Sequence, residues 1–168
     1  RSKNVTQIGM VHKIKDKKTG GYFLGQNIVF LLLVSEEITI PVGFRFYEPD
    51  PKLTAWRKEE ARLVKKKVEK KHRPSKPEKN PDYPTKIELA EQLVEEFAAN
   101  HKSFRIKAVV ADAAYSTDDF LTKCREYCPD AQIVSEIKNN QLVFFNNRYT
   151  KVSDVFANFM GTTEEVTL

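Results

Sequence analysis

Ala108 to Ala111 is a short apolar run with no polar alternation, and it ends on Asp112. Four such residues, bounded by Lys107 and Asp112, suit a strand buried on both faces, as parallel sheets contain. Ser116 or Thr117 then opens a helical pattern. The carboxylate therefore stands at the C-terminal tip of a strand just before a helix, where open α/β sheets place their ligands. Asp is also a common turn and capping residue, and the stretch from Lys107 to Ser116 by itself leaves both roles open. The flanking chain has to decide between them.

At 168 residues the chain has room for one domain with a proper core. Its longest apolar run, Ile28 to Val34, has the length of a strand and is far too short to span a bilayer. No signal-peptide pattern opens the sequence, and it does not begin with Met, so a piece of a longer protein is expected. Cys124 and Cys128 share one face of a helical pattern. His12, His72 and His101 are scattered far from both, which argues for small core cysteines rather than a zinc site. The net charge is +5, but Lys65 to Lys79 alone carries eight cations against two glutamates, so the rest of the chain is close to neutral. A cationic stretch on a balanced body fits a polyanion partner or, equally, a solvated mobile loop.

The remaining elements follow from local signals. The N-terminal residues read as extended chain entering a hairpin, with a turn at Lys17 to Gly21. Tyr22 to Ser35 reads as one long strand, and Ile38 to Tyr47 as its antiparallel partner, with Pro41 marking an edge. Ala55 to Val68 fits a charged helix, His72 to Pro84 is Pro/Lys/Asn-rich, and the basic segment over about 65–84 is expected to be mobile. Thr85 and Glu88 form a capping-box pattern for a helix ending near Asn100. Ser116 and Asp119 make a second cap pattern, for a helix ended by Pro129. A strand at Ala131 to Ile137 follows, then a hairpin turning at Asn146-Asn147, a short helix from Ser153 to Met160, and a strand starting at Glu164. Trp56 and the phenylalanines of the first hairpin are assigned to the core.

Two antiparallel strands, a helix, a strand ending in Asp, a helix and another strand form the later part of a ribonuclease H-like order. The stretch Val109-Val-Ala-Asp-Ala-Ala-Tyr-Ser116, with the hairpin Phe23 to Asp50 before it and Ile133-Val-Ser-Glu-Ile-Lys-Asn-Asn140 after it, resembles the catalytic core of a DDE (Asp-Asp-Glu) transposase of the insertion-sequence-four type. The resemblance runs from about Tyr22 to the end. It implies an α/β fold: an incomplete ribonuclease H-like mixed sheet with flanking helices over residues 1–138, and the start of a β-rich insertion over 139–168. It also implies DNA strand cleavage and joining by two-metal phosphoryl transfer, with Mg²⁺ or Mn²⁺ held by three carboxylates. Further implications are DNA (transposon ends and target) as partner, a homodimer, no membrane, and a cytoplasmic, nucleoid-associated place in a bacterium.

On this resemblance Asp112 is the second of the three acids and a metal ligand. The first is expected before Arg1. The third belongs to a Tyr-x-x-Arg-x-x-x-Glu-x-x-x-x-x-x-Lys helix that does not occur here, so the piece is expected to be inactive alone. Glu164 and Glu165 come nearest by position, but they begin a strand. Tyr115 is a DNA contact or a helix-packing aromatic. Lys138, Asn139 and Asn140 suit phosphate and base-edge contacts, or form an ordinary polar loop. Arg148 is a further DNA candidate, and Lys65, Lys66, Lys67, Lys70, Lys71 and Arg73 would add salt-sensitive affinity. Two other classes remain open: a non-catalytic nucleic-acid-binding module of the same fold, and an unrelated metal-dependent phosphatase or nuclease using Asp112.

Overall fold

The computed structural model describes residues 8–16 and 18–158. The N-terminal residues before Ile8 and the expected strand at Glu164, with Glu165, lie outside them. Among the described residues eight strands pair two by two, and four α-helices accompany them. The chain divides into two compact units, Arg1–Leu93 and Val94–Leu168, with the division falling inside a helix. No helix among the described residues is long and apolar enough to cross a membrane.

In the first unit, β1 (His12–Lys15) and β2 (Tyr22–Gly25) form a small antiparallel hairpin. The long strand expected from Tyr22 is interrupted at Gln26, so β2 pairs with β1 and β3 (Asn27–Val34) pairs with β4 (Thr39–Tyr47). Pro41 offers no amide hydrogen to the ladder, and the register shifts beside it: Leu31 faces Gly43, whereas Leu32 faces Pro41.

The β3–β4 pair has one covered face. Val29 is buried, and Leu93 reaches over the ladder so closely that a Cβ on Gly43 would lie 2.8 Å from its Cδ2. The opposite face carries Ile28, Phe30, Leu32, Phe44 and Phe46, all exposed, with Phe44 between Phe30 and Phe46 in ring contact. Assigning the hairpin phenylalanines to the core was therefore incorrect. A continuous apolar run predicts cover on both faces, and a two-stranded pair with a helix on one face gives cover to alternate residues only.

Asp50 starts α1 (Pro51–Lys65), its carboxylate accepting from the amides of Lys52 and Leu53 at 2.8 and 3.3 Å, with Pro51 preset for the first turn. The helix begins four residues earlier than expected. Just past its cap residue Lys66 stands Lys67, whose φ of 57° is the left-handed conformation usually given to glycine. The amides of Lys67 and Val68 then donate back to the carbonyls of Val64 and Leu63.

Beyond that turn the basic segment makes one 3₁₀ turn, Lys70–His72, and returns along α1. Trp56 is half-exposed rather than core, and its indole N–H donates to the Pro74 carbonyl at 2.9 Å. Arg73 donates to the Val68 carbonyl at 2.8 Å and to Glu60 at 2.9 Å. Lys79 bonds Glu88 at the start of α2 (Lys86–Asn100).

The capping box at that start is present: the Thr85 amide donates to Glu88 at 2.8 Å and the Glu88 amide to the Thr85 hydroxyl at 3.3 Å. Lys79, then the Thr85 amide, hold the Glu88 carboxyl below its ordinary range. A depressed folded-state value stabilises the fold above the ordinary glutamate range, and that contribution disappears as pH falls through the depressed value. Acid titration of Glu88→Gln should accordingly show a shallower loss of stability at low pH than the parent chain, read by the denaturation midpoint.

The second unit is organised around a parallel pair, β5 (Ala108–Ala111) and β6 (Gln132–Ser135), joined through α3 (Asp118–Tyr127). Thr117, not Ser116, caps α3, its hydroxyl accepting from the Phe120 amide. Phe120 and Cys124 are buried on the inner side of α3. Cys128 is half-buried, and burial pushes its thiol up, which disfavours the thiolate. β5 is not buried on both faces, as its apolar run implied: Val110 is 67% exposed, and its cross-strand neighbour Val134 is also open. The reason is the same as for β3, since only alternate residues face the helix.

The insertion hairpin pairs β7 (Leu142–Phe145) with β8 (Arg148–Lys151) and leads into α4 (Val152–Asn158). Asn146 and Asn147 both have positive φ, 50° and 60°, as a two-residue turn matching the twist of the strands requires.

Candidate active site

Asp112 follows the last residue of β5, and Glu136 follows the last residue of β6. Because Ala111 lies opposite Ser135 in a parallel register, these acids occupy matching positions at the C-terminal tips of neighbouring strands. Both are exposed. One Asp112 oxygen accepts from the Ala114 amide at 2.6 Å, a local turn of the kind short Asp side chains form, and the other has no hydrogen bond among the described residues. The Asp112 carbonyl accepts from the Tyr115 amide at 3.0 Å and from the Ser135 hydroxyl at 3.1 Å. The side chain is thus outside the cap of α3 and open at the sheet's tip.

Glu136 escaped the sequence reading. The only available signal was the end of the second strand, which one polar residue cannot mark.

Tyr115 packs its ring against Phe120, centroids 5.6 Å apart. Burial, then the neighbouring Asp112 charge, push its phenol above the ordinary range, so it stays protonated and can donate a hydrogen bond. Ser116 is turned inward. Its hydroxyl lies 3.0 Å from the Ala113 carbonyl and 3.2 Å from Gln141 Oε1, while Gln141 Nε2 donates to the Ser116 carbonyl at 3.2 Å. Lys138, Asn139 and Asn140 are exposed on the loop leaving β6, the same rim as Asp112. Arg148 is exposed beside the hairpin turn.

The six cations proposed for DNA in the basic segment, Lys65 to Arg73, divide into two sets. Lys71 pairs with Glu69 in the open, and Arg73 is drawn inward onto Glu60. Lys65, Lys66, Lys67 and Lys70 are exposed and make no ion pair among the described residues.

A family model for a DDE superfamily endonuclease matches residues 17–152. The chain belongs to that family. No curated protein and no solved structure matches it. Within the match of the DDE superfamily endonuclease lie both strand tips, the 112–117 loop and the insertion hairpin. The family defines an enzyme of the nuclease or transposase type, with DNA as its substrate.

The strand tips of this DDE domain offer carboxylate oxygens, from Asp112 and Glu136. That donor type fits a hard divalent cation such as Mg²⁺ or Mn²⁺. Among the described residues no three His, Cys, Asp or Glu side chains come together as a metal-binding group. Asp112, with Glu136 at the matching tip, would contribute ligands to such an ion.

Proposed function

We propose that this DDE domain belongs to a transposase of the insertion-sequence-four type, with a ribonuclease H-like core, and that Asp112 is the second of its three metal-binding acids. The observation carrying this proposal is the exposed carboxylate at the tip of a parallel strand pair, within a DDE endonuclease match. Divalent metal, when bound, would activate the attacking oxygen and neutralise charge on the leaving one. Asp112 would supply an ionised oxygen donor, and Tyr115 a protonated hydroxyl next to it. Lys138, Asn139, Asn140 and Arg148 would engage DNA near the scissile strand, while the unpaired lysines of residues 65–70 would hold the duplex by its phosphates. On the same reading these 168 residues alone are proposed to be inactive, and the whole protein to act as a homodimer.

The full-length protein should nick duplex DNA carrying its own transposon ends in Mg²⁺ or Mn²⁺ and leave small phosphoesters untouched. Turnover of a small phosphoester with no cleavage of DNA would favour a metal-dependent phosphatase instead. DNA binding with neither activity would favour a non-catalytic module.

A further inference from the structure

We propose that Gln141 is a positioning residue for Asp112, coupling the 112–117 loop to the turn that carries Lys138, Asn139 and Asn140. The proposal rests on the reading of Asp112 as a metal ligand. Between β5 and α3 the loop has two long-range tethers. At its near end the Ser135 hydroxyl holds the Asp112 carbonyl. At its far end the Gln141 carboxamide grips Ser116 twice, once at the hydroxyl and once at the carbonyl, both at 3.2 Å and 25 residues apart in sequence. Ser116 is 7% exposed, so its carbonyl depends on Gln141 for a partner, while its hydroxyl is shared between Gln141 and the Ala113 carbonyl at 3.0 Å.

The Asp112 carboxylate itself is held only by the Ala114 amide among the described residues. Its readiness for a cation therefore depends on how firmly the loop is closed. A carboxylate that must first be ordered binds more weakly than one already in place.

The backbone of Gln141 has partners of its own. Its amide donates to the Lys138 carbonyl at 2.9 Å, closing the 138–141 turn, and its carbonyl accepts from the Val152 amide at 2.9 Å. The Ser153 amide donates to the Asn139 carbonyl at 3.0 Å, which fastens the same turn to the start of α4. One residue therefore links the loop bearing the acid, the polar rim and the base of the insertion hairpin. Lys138 and the Asp112 loop are thus fastened to the same residue.

The test is Mn²⁺ binding to the full-length protein, followed by the electron paramagnetic resonance of free Mn²⁺, with amide hydrogen exchange at Ala114 as a second readout. Gln141→Ala, Gln141→Met and Ser116→Ala should each weaken Mn²⁺ binding about tenfold, the lower end for partners of a ligand's supporting shell. Each should speed exchange at Ala114, and the double variant Ser116→Ala/Gln141→Ala should bind no more weakly than either single variant. Unchanged Mn²⁺ affinity and unchanged Ala114 exchange in Gln141→Ala, while Asp112→Asn loses Mn²⁺, would overturn the positioning role and leave Asp112 as ligand. Additive losses in the double variant would overturn it as well, because two independent defects would then be at work. Undiminished Mn²⁺ binding in Asp112→Asn would remove the ligand reading underneath.

Discussion

Asp112→Asn in the full-length protein should lower metal-dependent strand cleavage by about 10³-fold or more, while binding of DNA ends stays within about twofold. Asn is nearly the same size as Asp, and its Oδ1 can still accept from the Ala114 amide, so the turn after β5 survives. What goes is the negative charge. A hard divalent cation takes an amide oxygen far less readily than a carboxylate, and several kcal/mol of charge stabilisation correspond to about three decades of rate. Stability should change by no more than about 0.5 kcal/mol, because position 112 is exposed and has no ion pair among the described residues. Cleavage assays in Mg²⁺ and Mn²⁺, with a thermal melt beside them, read both quantities. Cleavage at the parent rate would end the assignment of Asp112.

Replacing Lys65, Lys66, Lys67 and Lys70 together by Ala should flatten the salt dependence of DNA binding, leaving the fold intact. Each phosphate contact contributes about 0.9 to the slope of log affinity against log salt, so four contacts would account for roughly 3 to 4. These four ammonium groups are exposed and make no ion pair among the described residues, so their loss costs the fold little. Arg73→Ala should do the reverse. Its guanidinium joins Glu60 to the Val68 carbonyl, at 2.9 and 2.8 Å, so losing it should cost about 1.5–3 kcal/mol and leave the salt slope nearly unchanged. Affinity titrations across a salt series, paired with urea unfolding, separate the two effects. A slope unchanged in the quadruple variant would show that the cluster does not meet phosphate.

Cations in this segment look alike in the sequence, where Arg73 and Lys70 belong to one run. What separates them is a contact across 13 residues, from Arg73 back to Glu60 on α1. Trp56 is a similar case. Its indole bond to Pro74 spans 18 residues, and no local pattern signals it. Features that depend on near neighbours were easier to read. The Thr85–Glu88 cap, the Asn146-Asn147 turn and the inward placement of Cys124 each follow from residues within one turn of each other. The cap of α3 shows the limit of such reading. Ser116 and Thr117 are adjacent and chemically similar, yet Thr117 caps α3 while the Ser116 hydroxyl turns to the Ala113 carbonyl and Gln141. Neither Glu136 at the matching strand tip nor the grip of Gln141 on Ser116 could be read locally, since each depends on how β6 and the turn after it lie beside the Asp112 loop.

By itself the sequence determined the strand, the aspartate at its end and the helix after it, because backbone propensity and apolar spacing act over a few residues. It also determined the cationic run, which is a matter of composition. Only the tertiary structure decided that Val110 and the hairpin phenylalanines face outward, and which acid stands opposite Asp112. The physical reason is that cover over a sheet face, and the register between two strands, are set by segments far apart in the chain. An apolar residue is written the same way whether a helix lies over it or not.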